Sequence, residues 1–147
     1  MEHFKIEHFE RGNPGKSFPK FEPLDKSEVT RIRKELASKV NLEETIAPLT
    51  LIKHLLSLSE PVEGLDATSE GFDLLSTLKT LGLHPNRWVY INWDRFETID
   101  RMDPMDLSTH FHDIRYPSAD DIELFDDTLS WILLIDHSGA IRKVQFD

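Results

Sequence analysis

Two histidines one residue apart, His110-Phe-His112, run directly into Asp113 and are followed by Asp120 and Asp121. On an extended strand, residues i and i+2 share a face. His110 and His112 could therefore offer two imidazoles to one metal ion, with Asp113 as a carboxylate ligand. That is the chemistry of a metal-dependent hydrolase. Hydrolytic zinc sites, however, carry further ligands at set spacing, and here there is no HExxH and the run ends in Asp-Ile. Paired histidines in an acidic loop are more often polar surface, so the metal reading stands as the alternative, and no cofactor is expected.

Other chemistries find less support. Ser130 and Ser138 lie near Asp136 and His137 in the chain, but no GxSxG elbow presents a nucleophile. Gly12-Asn-Pro-Gly-Lys-Ser17 ends like a phosphate-binding loop, yet it is too short and follows no apolar strand. With 27 acidic residues, choosing a catalytic carboxylate pair has no discriminating power. The absence of Cys excludes disulfides, thiolate zinc sites and a Cys nucleophile.

Recognition fits the charge better. The 147 residues carry a formal net charge of -10, the wrong sign for a general nucleic-acid or anionic-membrane surface. Residues 1–40 hold nine Lys/Arg against seven Asp/Glu, whereas 94–127 holds eleven acids against three arginines, a local balance of -8. Aromatics interleave with those acids. Aromatic anchors and fixed carboxylates suit an interface with a basic protein, and Asp94, Tyr116, Asp120, Asp121, Glu123, Asp126 and Asp127 are the candidate contacts. A solvated acidic surface is the plainer explanation of such a run.

The elements that must position these residues suggest one α+β domain. Residues 1–24, with three prolines, read as an irregular arm with a short strand at 4–9. Residues 25–82 read as helical. Asp25 or Ser27 caps a helix that turns Val29, Ile32, Leu36 and Val40 inward, and Asn41 caps a segment that Pro48 breaks or restarts. Ser69 caps a third helix that ends at Gly82. Residues 87–147 read as mainly β, with strands over 87–93, 129–135 and 140–146, and a short acidic helix capped by Ser118 through 125. Trp88, Tyr90 and Asn92 should face one side, Val89, Ile91 and Trp93 the other. The expected architecture is N-terminal helices packed on a small antiparallel sheet formed mainly by the C-terminal half. The first residues lack an apolar signal core and no apolar run approaches the ~18 residues of a membrane helix, so a soluble cytoplasmic protein is expected.

Three stretches carry a resemblance: WVYINWDRF (88–96), DIRYPSADDIELFD (113–126) and SWILLIDHSG (130–139). They resemble immunity proteins of bacterial polymorphic-toxin and contact-dependent growth inhibition systems, over about a third of the chain. The family pattern has Trp where this chain has Arg115, which alters one aromatic of the expected surface. The resemblance implies a non-enzymatic inhibitor that binds one cognate toxin domain. A basic nuclease domain would suit the acids, which would stand where substrate phosphates sit. A small acidic adaptor that swaps its arm between protomers is a further alternative.

Overall fold

The computed structural model describes residues 1–146, leaving out the side chain of Asp94. The elements follow in the order α1 (His3–Gly12), β1 (Phe21–Pro23), α2 (Lys26–Lys39), α3 (Pro48–Leu58), β2 (Glu60–Pro61), α4 (Leu74–Thr80), β3 (Val89–Asp94), β4 (Thr98–Met102), α5 (Pro104–Thr109), α6 (Phe111–Ile114), β5 (Ile122–Phe125), β6 (Trp131–Ile135) and β7 (Ile141–Gln145). All strands join one sheet in the order β1-β4-β3-β5-β6-β7-β2, and every pairing is antiparallel. The chain is α+β, with most strands in its C-terminal half.

Side-chain alternation splits the core into two layers. Val89, Ile91, Ile122, Leu124 and Leu133 pack with Phe9 of α1, Leu74 and Leu78 of α4, Leu107 of α5 and Phe111 of α6. Tyr90, Phe125, Ile132 and Leu134 pack with Ile32 and Leu36 of α2 and with Leu51 and Leu55 of α3. The alternation expected along 88–93 is therefore observed, with helices covering both faces.

Local chemistry explains the helix starts. The Asp25 carboxylate accepts from the Glu28 backbone N–H at 2.9 Å and caps α2. Pro48 begins α3 rather than breaking a helix, since a first-turn proline has no N–H to lose. Residues 41–47 form no helix, and Asn41 takes a left-handed φ of 59°. Asp73, not Ser69, caps α4 through the Ser76 N–H at 2.9 Å.

Two further expectations are corrected. Residues 3–12 form α1 instead of an irregular arm with a strand, and the helix buries Lys5 and Phe9, four residues apart, against the chain's own sheet. Residues 122–125 form β5 instead of an acidic helix. Ser118 has φ of 66°, outside the extended conformation of an N-cap. The four β5 residues are all buried, because helices cover both sheet faces, so no alternation marks the strand in the sequence. Among the described residues, no helix is long and apolar enough to cross a membrane.

Candidate functional site

The acidic stretch does not form one surface. Asp120 and Tyr116 lie against α1. Lys5 is only 1% exposed, and its ammonium donates to Asp120 Oδ2 at 2.6 Å. It also sits 4.1 Å from the Trp93 ring centroid and 5.0 Å from that of Tyr116. Asp120 accepts from the Tyr116 backbone N–H at 2.8 Å as well, while the half-buried Tyr116 ring meets Phe4 edge-on at 5.8 Å. This cage is thus filled by a lysine of the same chain.

Asp126 and Asp127 lie at the other end of β5. The buried Asp126 carboxylate accepts from the backbone N–H of Asn86 at 2.9 Å and of Thr128 at 3.0 Å, and from the Thr128 hydroxyl. It ties the entry to β3 to the β5–β6 turn. Asp127 is exposed and accepts from the Asn86 amide at 3.2 Å. The side chain of Asp94 falls outside the described residues. Arg115 is wholly buried, not part of a surface. Its guanidinium donates to the Asp136 carbonyl. Burial lowers its pKa against the pull of Asp120, Asp136, Asp121 and Asp66.

The metal alternative loses the geometry it was built on. His110 follows α5 and His112 lies in α6, not on a strand, so positions two apart diverge around a helical turn. His110 Nδ1 is 3.7 Å from an Asp113 oxygen, whereas His112 Nε2 contacts the Ser69 carbonyl at 2.8 Å. Among the described residues, no three His, Cys, Asp or Glu side chains gather to hold a metal ion.

Asp121 and Glu123 are brought together, at a cavity of about 250 Å³ between α3 and the sheet. The register makes the floor. Asn92 of β3 pairs with Glu123 of β5, Glu123 with Leu134 of β6, and Leu134 with Arg142 of β7. These four therefore form one row across the sheet, on the face that Leu134 shares with α3. The Asn92 amide is doubly held: its Oδ1 accepts from the Phe96 N–H at 2.9 Å, and its Nδ2 donates to Glu123 Oε1 at 2.6 Å. Arg142 also lines the cavity, and its guanidinium donates to the Ser59 hydroxyl at 2.6 Å and the Ser59 carbonyl at 2.8 Å.

Glu123 is 8% exposed. Asn92 is its hydrogen-bond partner, and Oε2 has no partner among the described residues. Burial pushes the carboxyl up to about 7; the Asn92 bond pulls the other way, and the charge of Asp121 adds to the rise. At the mouth, Asp121 Oδ1 accepts from the His137 N–H at 2.6 Å and lies 3.0 Å from its Nδ1. Desolvation of Asp136 is outweighed by hydrogen bonds from Ser138 and Ala140, which hold its pKa low. The wall is apolar, formed by Ile52 and Leu56 of α3. Leu49, Ile52 and Leu56 recur at helical spacing, and Leu49 and Leu56 are 42% and 41% exposed.

This arrangement suits a cation with an aliphatic stem: one Glu123 oxygen is held by an amide, the side chain lines a cavity, and the α3 side of that cavity is hydrocarbon. Sequence reasoning named Asp121 and Glu123 but missed Asn92, Ile52, Leu56 and Arg142. The available signals were a lone amide in the apolar run VYINW and a lone carboxylate in IELF. Comparison with protein-family models, with curated proteins and with solved structures found no match.

Proposed function

We propose that this protein is an immunity protein, a non-enzymatic inhibitor that binds a cognate bacterial toxin domain in the cytoplasm and neutralises it. The partner is a basic protein, such as a nuclease domain. The observation that carries this reading is the cleft beside α3, where no cation among the described residues contacts the buried Glu123 carboxylate and the exposed Leu56 forms part of the wall. A carboxylate with little access to water is costly to keep ionised, and a leucine near a carboxylate makes an apolar anchor with a charge-reading centre. The resemblance over 88–139 and the net charge of -10 support the same partner class.

The test is neutralisation by stoichiometry. The toxin for this test is to be sought as the variable C-terminal domain of a large secreted protein encoded beside this one. Its activity is titrated with this protein. A linear fall to zero with a break at one equivalent is expected. Asp121→Lys should slow association most at low salt, because steering depends on charge. The same reversal at Asp120 is uninformative, since it breaks the pair with Lys5. Unimpeded toxin activity, or complete loss at a small fraction of an equivalent, overturns the proposal, the latter by indicating catalysis.

A further inference from the structure

We infer that the cavity between α3 and the sheet receives a single lysine or arginine side chain of the partner protein, with its charged end on Glu123 Oε2 and its methylenes along Ile52, Leu56 and Leu134. The inference takes the partner to be the basic protein proposed above, but the pocket's preference for such a side chain is a property of this chain alone. Four observations converge on it. Glu123 has an unpartnered oxygen on a side chain that is 8% exposed, and that side chain lines the cavity. Arg142, the cation in the same row of the sheet, is committed to Ser59. The volume of about 250 Å³ is below the ~300–1,000 Å³ typical of pockets for drug-sized ligands, so it suits one side chain. The apolar wall continues outward through exposed Leu49 and Leu56, surface that a protein covers and a small free cation does not.

Burial and the charge of Asp121 raise the Glu123 carboxyl against the pull of Asn92, and the groups around the cavity are these. β3 contributes Asn92, β5 contributes Asp121, the β6–β7 turn contributes Asp136 and His137, β7 contributes Arg142, and α3 contributes only Ile52 and Leu56. Cation binding needs the ionised form of Glu123. Because its carboxyl titrates at about 7, the ionised share falls about tenfold from pH 8 to pH 6.

The experiment uses the full chain without toxin. Amide NMR shifts are followed on adding n-butylguanidinium or n-butylammonium, with n-butylurea as the uncharged counterpart and spermidine as a free polycation. Saturable millimolar binding of both single cations at Glu123, Leu134 and Leu56 is expected, with no response to the urea. Affinity should fall about tenfold from pH 8 to pH 6, and at least tenfold in Glu123→Gln. Ala140→Leu, a change at an exposed residue of the lining, should block the site in a folded protein. The inference is overturned by absence of saturable shifts, by affinity unchanged in both variants, or by spermidine binding a thousandfold more tightly at this site, which would mark a small-molecule pocket. A toxin neutralised by a chain that fails these probes leaves the immunity reading standing and removes the anchor; the reverse result removes the immunity reading.

Discussion

Replacing Glu123 by Gln should stabilise this protein, by an amount that depends on pH in a defined way. The substitution keeps the shape of the side chain and an oxygen to accept from Asn92, and it removes the charge. In the folded chain the carboxyl is raised from 4.5 to about 7, which at 1.36 kcal/mol per pH unit is a penalty of about 3 kcal/mol on the ionised form. Below the unfolded value both states carry the proton and there is no penalty. Between 4.5 and 7 the folded state holds a proton that the unfolded state has released, so wild-type stability falls as pH rises. Above the folded value the loss is complete. Glutamine has no such dependence. The advantage of Glu123→Gln should therefore be about 1 kcal/mol at pH 5.5 and about 3 kcal/mol at pH 8. Urea denaturation followed by tryptophan fluorescence measures it, and taking the difference between the two proteins cancels the pH dependence they share. An advantage that does not grow with pH, or a wild type that is the more stable at pH 8, refutes the burial argument.

Four substitutions separate residues with structural roles from an exposed one. Asp126→Ala strips the acceptor from two backbone N–H groups and a hydroxyl and should cost about 3 kcal/mol in urea melts, whereas Asp121→Ala, at an exposed carboxylate, should cost less than about 1 kcal/mol. Lys5→Met removes the cation from between Asp120, Trp93 and Tyr116; a loss of about 3 kcal/mol is expected, with a changed Trp93 emission. Gly139→Ala places a Cβ 2.0 Å from Asp66 Oδ1 at a φ of +94°, where the 66–68 loop crosses the β6–β7 turn, and thermal unfolding should show a loss of at least about 2 kcal/mol.

Much of the α+β layout was legible because it is written in local chemistry. Asp25 preceding a 3,4-spaced apolar stripe marks α2, the alternation through 88–93 assigns β3 residues to their faces, and Asp136-His-Ser-Gly marks a turn between two apolar strands. β5 was not legible. Its acids suggested a helix, and its burial on both faces erased the period-2 signal. α1 was missed for a long-range reason: Lys5 and Phe9 define a buried stripe only once Asp120, 115 positions away, supplies the counter-ion. The same limit applies to the site. Charge drew attention to Asp121 and Glu123, but charge alone gives no reason to separate them from Asp120 and Asp126, whose oxygens are occupied by Lys5, Asn86 and Thr128. That distinction is made by strand register and by which oxygens remain without partners.

The margins of the sheet carry a consequence of their own. The outermost strands, β1 and β2, have three and two residues and end in Pro23 and Pro61. Proline offers no N–H to an incoming strand, and so short a border gives little to template on. Neither margin can be extended into a longer ribbon with a neighbouring copy, so crowded copies have no ready route to cross-β growth despite their apolar central strands. A partner seeking backbone pairing finds no purchase there either, which leaves the side chains of the broad flanks to decide what this protein holds.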